Sequence, residues 1–444
     1  MSSQQKAKIG LVFSHRPSNE PTWPYEGYNY EARINAITNL LREALPNIEF
    51  IPKIAHNRNE AESVLEVLKN EGVDGFVAYV VGIWTGVPLI IAKSGVPTII
   101  VDDLYAGSGE FLGSLAEAKK QGLKVIGIAS SDFKDVIKAI NLFNVIRAMK
   151  ETRIVDIVDS VEGGVTPLKT HQEKIKEVFG TEVITIDSRT LRNYYDKVDE
   201  NDAVKWAEKW INEALKVVEP SRDEIIKSAK MYLALKSILT DNNAQAITVD
   251  CLGLFYGGKL PAYPCLSHFQ MNNEGLTGVC EADLDSTLTQ LLVRYLNGTP
   301  GYVSDPVIDT ASNQIIYAHC VATNRVFGPD GLPNPYIIRS HSEDRKGASV
   351  QSIMPLGKVV TTIKVNTLEK AMAIHQGKAV ANVEEEKACR TKLAVETDAK
   401  RVLENWNKKF NFGWHRVSFY GDLREEVIEL SELLGLEVFE EDRR

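Results

Sequence analysis

The 444-residue sequence has no C-x-x-C pair, no Lys/Arg cluster and no apolar run of bilayer length, about 20 residues. A membrane span is therefore not expected. Met1–Lys8 is short and polar, and Ile9–Phe13 behind it is only strand-length, so no secretory segment is expected either. The formal charge of −9, with no basic stripe, makes nucleic acid and anionic membrane poor partners. Five cysteines (Cys251, Cys265, Cys280, Cys320, Cys389) are odd in number. They read as free buried thiols in a reducing compartment, hence a cytoplasmic protein. Walker A, G-x-S-x-G and H-E-x-x-H patterns are missing, as are internal repeats and low-complexity segments.

What remains is ordinary globular composition, 44% hydrophobic and 25% charged, in a chain long enough for about three domains of ~150 residues. Over the first 160 residues, strand-like runs (Ile9–Phe13, Ile48–Ile54, Asp74–Val80, Thr98–Val101, Val125–Ala129, Ile154–Val158) alternate with helix-period stretches (Tyr30–Leu45, Asn59–Asn70, Glu110–Gln121, Phe133–Lys150). That alternation predicts a parallel, doubly wound sheet whose ligands collect beyond the strand C-termini. Gly163–Gly164 and Pro167 mark a turn, after which a second α/β pattern runs to residue 298. It holds helices Leu168–Phe179, Asp202–Val217 and Asp223–Thr240, strands Thr181–Asp187 and Ala246–Asp250, and a Gly/Pro-rich loop reaching Gly278. Ser221 to Glu224 reads as a capping box, and Glu281–Leu296 as a helix stopped by Asn297–Gly298. From Pro300 strand signals dominate, closed by a helix Leu423–Leu434. The expected architecture is two doubly wound α/β domains (1–160 and 161–298) followed by a β-rich, barrel-like C-terminal domain (299–444).

Polar chemistry is densest between Asp250 and Glu343. Glu281 reads as a first-turn residue, where helix amides favour its ionised form, with Asp285 on the same face. Asp305 precedes Pro306, consistent with an Asx-type turn after a short strand. His319 ends the run Ile315-Ile-Tyr-Ala-His, while His341 and Glu343 follow another strand; such histidines commonly serve as hydrogen-bonded structural residues. With His415 these supply oxygen and imidazole donors but no thiolate cluster, a set suited to Mn²⁺ or Mg²⁺ rather than structural zinc. Gly107-Ser-Gly109-Glu-Phe-Leu-Gly113 opens a helix, but its third glycine is one position late for a dinucleotide fingerprint.

The stretch Cys280-Glu-Ala-Asp-Leu-Asp-Ser-Thr-Leu-Thr289, with Tyr302-Val-Ser-Asp305-Pro, Tyr317-Ala-His-Cys, Ser340-His-Ser-Glu343 and His415, resembles the L-fucose/L-arabinose isomerase family on its L-fucose isomerase side. The resemblance covers about Leu252–Asn366 and the C-terminal tail. It implies a metal-dependent aldose–ketose isomerase with a divalent ion, usually Mn²⁺ (Mg²⁺ and Co²⁺ are alternatives), held by Glu281, Asp305 and His415. Such chemistry moves a proton between C1 and C2, for which Glu281 and Asp305 offer an acid/base pair, with His319, His341 and Glu343 as orienting or hydroxyl-binding groups. The resemblance also implies a homo-oligomer, trimer or hexamer, with Trp84 of a neighbouring subunit lining the site; Arg16, in Ser-His-Arg-Pro, reads separately as a strand-tip residue placed to reach a substrate hydroxyl or acid. Trp414 stands where the family has a polar residue, and no residue chooses among L-fucose, D-arabinose, L-arabinose or an anionic acid- or sulfo-sugar. The competing readings are a non-catalytic sugar-binding protein and a nucleotide-dependent transferase using the Gly107–Gly113 turn.

Overall fold

The computed structural model describes residues 6–20, 23–159 and 168–443. The Gly163–Gly164–Pro167 turn lies outside them. The chain divides into two compact units, Met1–Ala148 with Glu425–Glu437, and Met149–Arg424 with Val438–Arg444.

Among the described residues the first unit has one sheet of five parallel strands, Ala7–Ser14, Ile48–Ala55, Gly75–Val80, Thr98–Asp102 and Val125–Ile128. The second strand lies at the edge, beside the first, then the third, fourth and fifth. This is the doubly wound order expected from the alternating pattern. Helices Tyr30–Ala44, Arg58–Asn70, Ser108–Lys120 and Phe133–Glu151 match the amphipathic stretches. A short helix, Val87–Ala92, escaped the reading because six residues are too few to show a period. Strand Gly75–Val80 is buried along its length, and at Gly75 a Cβ would come within 2.0 Å of the Phe143 ring. The helix Arg424–Leu434 does not close the barrel as expected. Its residues from Glu425 belong to the first unit, where Glu426 pairs with Lys138 at 2.5 Å.

The second unit begins with a four-stranded parallel sheet, ordered Thr277–Cys280, Ala246–Val249, Arg153–Ile157, Glu182–Ile186 among the described residues. Ile154 and its neighbours thus pair with this sheet. Half of the expected capping box is present: Ser221 Oγ accepts from Glu224 N, while the Glu224 carboxylate receives Lys227 Nζ; Gly298 (φ 80°) ends the helix Leu284–Asn297. The expected Gly/Pro-rich loop instead contains two helices, Cys251–Tyr256 and Cys265–Asn273. Every residue of the latter is buried, so it carries no amphipathic signal.

The six antiparallel strands Tyr302–Asp309, Gln314–His319, Val359–Asn366, Ala371–Asn382, Thr391–Glu396 and Arg416–Tyr420 close into a barrel through pairing of Val359–Asn366 with Ala371–Asn382. The α/β layers followed by a β-barrel match the expected fold class. Inside it, Tyr317, Ile315, Leu393 and Val395 form the core with Tyr302. No helix among the described residues is long and apolar enough to cross a membrane.

Candidate metal centre

The strand Thr277–Cys280 delivers the chain directly into Glu281 and Ala282, whose backbones are both left-handed (φ 65° and 52°). Such non-glycine conformations cost about 1–2 kcal/mol each and persist only where the surroundings enforce them. Glu281 is consequently not in a first helical turn as expected. The helix starts three residues later at Leu284, capped by Asp283, whose Oδ1 accepts from Ser286 N at 2.8 Å. The reading that paired Glu281 with Asp285 on one helix face is corrected with it. Asp285 instead accepts from Thr367 Oγ1 (2.5 Å) and lies 3.1 Å from His171 Nε2. Asp305 is not in a turn; it sits inside the strand Tyr302–Asp309, opposite Ala318.

These elements bring Glu281, Asp305 and His415 together. His415 Nε2 lies 3.2 Å from Asp305 Oδ1 and 3.3 Å from Glu281 Oε2. His319, at the end of its strand, joins them with Nε2 3.7 Å from Glu281 Oε1, and neither of its buried ring nitrogens has a hydrogen-bond partner among the described residues. Donor atoms of Glu281, His319 and His415 all lie within 4.8 Å of one another. Behind His415, Nδ1 is 2.8 Å from Asp283 Oδ2, which also receives Lys364 Nζ at 2.6 Å. Asp283 and Lys364 were not assigned roles from sequence; a lysine in an alternating strand reads as solvent-facing, yet Lys364 is buried.

The electrostatics follow from this packing. Burial pushes the Glu281 and Asp305 carboxyls up, but the imidazoles of His415 and His319 outweigh it and leave both below the ordinary carboxylate range. Burial would lower His415, but Asp283, Asp305 and Glu281 hold it well above the usual imidazole value. Three carboxylates against the one Lys364 ammonium leave two negative charges, which a divalent cation would balance with both imidazoles neutral. Oxygen and imidazole donors suit Mn²⁺ or Mg²⁺, and the unpartnered His319 is the kind of buried polar group that such an ion would satisfy. The residues present therefore fit a divalent ion. Beside His319 lies His268, fully buried against Gly278 and pushed down to about 3 by burial and by His319.

The other candidates have different surroundings. His341 stacks on Tyr263 (centroids 4.2 Å apart), and Glu343 accepts from Tyr256 Oη at 2.7 Å. In the first unit Arg16 pairs with Glu20, and Trp84, 65% exposed at φ 66°, lines a cleft of about 740 Å³ with Trp23, Arg58 and Tyr105. Gly107 is explained by packing, since a Cβ there would meet Val80 Cγ1 at 2.4 Å. Four cysteines are buried and free, as expected; Cys389 is free and half-buried.

Parallel α/β layers followed by an antiparallel barrel thus carry a polar centre in which carboxylates and imidazoles converge. No protein-family model matches the sequence. Sulfoquinovose isomerase of Priestia aryabhattai is 24% identical over 316 residues, covering 68% of this chain and 67% of that protein. Its counterpart in Priestia megaterium matches equally, and that of Clostridium sp. (strain MSTE9) is 25% identical over 280 residues, 60% of this chain and 59% of that one. Among solved structures, a XylFII molecule aligns over 57% of this chain and 85% of its own at 15% identity, with a TM-score of 0.17. A solute-binding protein of Actinobacillus succinogenes 130z with bound D-allose covers 66% and 92% at 10% identity and a TM-score of 0.19. At such scores the likeness carries no weight for this chain.

Proposed function

We propose that this chain is a sugar isomerase that interconverts an aldose and its ketose with a divalent ion of the Mn²⁺ class. The observation that carries the reading is the convergence of Glu281 and Asp305 on one imidazole nitrogen of His415, at 3.3 and 3.2 Å. The curated relatives, all sulfoquinovose isomerases, support the same reaction class. They favour an anionic, sulfonated aldose as substrate, with neutral aldoses as the second reading.

Aldose–ketose interconversion moves a proton between C2 and C1 through an enediol. Glu281 and Asp305 are ionised at neutral pH, so either begins ready to accept that proton, and its conjugate acid returns it. Glu281, Asp305 and His415 would hold the ion, with His319 within reach as a further donor. When bound, the ion supplies electrostatic stabilisation to charge developing on the sugar's O1 and O2. Asp283 orients His415 through Nδ1. We place Trp84 at the pocket of a neighbouring chain within a homo-oligomer, its exposed ring offering a face to the sugar.

The test is a panel of sulfoquinovose, L-fucose, D-arabinose, L-arabinose and D-galactose, incubated with Mn²⁺-loaded protein and followed by NMR for ketose. Ketose from one or more of them is expected, first from the sulfonated sugar. Saturable binding of these sugars without metal and without conversion would favour a sugar-binding protein and overturn the reading.

A further inference from the structure

Lys364 lies in the middle of the barrel strand Val359–Asn366 with its side chain only 5% exposed. An ammonium is rarely buried so deeply unless it is paired and hydrogen-bonded. Here Nζ donates to Asp283 Oδ2 and to Ser286 Oγ, both at 2.6 Å. The Ser286 hydroxyl in turn donates to the same Oδ2 at 2.7 Å. Asp283 Oδ2 therefore gathers an ammonium, a hydroxyl and the His415 ring at Nδ1, while Oδ1 caps the helix on Ser286 N. The cap fixes one carboxylate oxygen and the lysine fixes the other, so the group cannot swap its oxygens without breaking contacts on both sides.

The consequence falls on His415. With Nδ1 held by Asp283, Nε2 is the nitrogen left facing Glu281 and Asp305. We infer that Lys364 is a positioning residue for His415: anchored in the barrel wall, it clamps Asp283, and Asp283 fixes both the angle of the ring and the nitrogen it presents. The inference rests on the metal reading above and adds a residue to it. Partners behind a metal-bound histidine typically change metal affinity 10- to 100-fold when removed.

Two variants separate clamping from general support. Lys364→Met keeps an unbranched apolar side chain of similar length but makes no bond to Asp283. Asp283→Asn retains helix capping, since Asn caps as well as Asp. With its oxygen on Ser286 N, however, the Asn amide turns a donor toward the Lys364 ammonium and the His415 N–H. Metal-free preparations of wild type and both variants are titrated with Mn²⁺, and the free ion is counted by electron paramagnetic resonance. About one tight site per wild-type chain is expected, weakened 10- to 100-fold in each variant. In turnover assays the loss should appear as a higher Mn²⁺ concentration for half-maximal rate, whereas a general structural defect would lower the rate at every Mn²⁺ concentration. Should Lys364→Met fail to fold, Asp283→Asn decides alone. Unchanged Mn²⁺ affinity in folded variants would overturn the positioning role while leaving the metal reading in place. A wild type that binds no Mn²⁺ would overturn both.

Discussion

In the first unit the strands Gly75–Val80 and Thr98–Asp102 lead to Trp84 and Tyr105, both left-handed, and both rings stand in solvent, 65% and 86% exposed. In the second unit the strand Thr277–Cys280 leads to Glu281 and Ala282, also left-handed, and there the side chain that results is a carboxylate turned into a polar cluster. The same costly backbone state serves opposite ends. In one unit the left-handed backbone presents exposed aromatic rings. In the other it places a charge where imidazoles hold it ionised. On the reading proposed above, the second unit would carry the chemistry and the first would offer a surface.

The sharpest way to break that comparison is to remove the charges. Glu281→Gln and Asp305→Asn keep shape but abolish basicity, and general acid–base catalysis is worth about 10²–10⁴ in rate. A deficit of at least that order is expected in one or both variants even at saturating Mn²⁺, with exchange of the C2 proton falling in parallel. Chelation of wild type by EDTA should abolish turnover and Mn²⁺ should restore it. Full activity in a metal-free preparation, or a saturated double mutant near the wild-type rate, would place the chemistry elsewhere.

Acid should also test the barrel. Glu441 is fully buried, and although burial pushes its carboxyl up, Arg416 at 2.7 Å and His375 at 2.9 Å bring it down to about 2. Its folded value is below its unfolded one, so its stabilisation is complete above about pH 4.5 and is lost as pH falls towards 2. A shift of that size is worth about 3 kcal/mol. In the first unit, burial raises Asp102, so its contribution has the reverse sign: it favours the folded state as pH falls. Glu441→Gln should cost about 3–5 kcal/mol at pH 7, because Arg416 is then left buried and unpaired, and should flatten the acid limb of urea-denaturation midpoints between pH 5 and 2. An unaltered acid limb would show that this pair does not set the barrel's acid sensitivity.

Much of this arrangement was legible in sequence, for physical reasons that also mark where legibility stops. Apolar runs alternating with amphipathic stretches gave the first sheet, because period is what burial imposes. Ser221 and Gly298 announced helix ends through capping chemistry. Glu281 and Ala282 could not be placed, since both residue types favour helices and nothing local marks a left-handed pair. The strand Ala371–Asn382 contains Gly377 and a register shift between Ala379 and Ala381, both of which interrupt the alternation that marks a strand. His415 entered as one imidazole donor among several and took its place as a metal ligand only from the resemblance; Lys364 entered by nothing. A contact across 81 residues, such as Lys364 to Asp283, leaves no local signature.

Assembly tests the first unit's half of the comparison. Trp84→Ala should change stability by no more than about 0.5 kcal/mol, as expected for an exposed side chain. Activity should nevertheless fall if Trp84 completes a neighbour's pocket. Equal mixing of Trp84→Ala and Glu281→Gln chains, after dissociation and reassembly, should regenerate about a quarter of the sites, those with both residues intact. No recovery in verified hetero-oligomers would count against a shared site.

The smallest effect concerns the strained backbone itself. Ala282 has φ 52°, and its N–H donates to Val249 O at 3.0 Å, a bond that glycine would keep. Ala282→Gly removes the Cβ clash of the left-handed state, about 1–2 kcal/mol, but enlarges the freedom of the unfolded chain by about 0.4–1 kcal/mol. The net expectation is a gain of up to about 1.5 kcal/mol, read as a higher urea midpoint. Trp84→Gly, at φ 66°, should gain by the same physics. If both gains appear, strain is stored equally at the two strand ends, and the units differ only in what it presents. A loss of stability at Ala282→Gly would mean that its methyl group packs usefully, and that Glu281 is held by contact rather than by a backbone under tension.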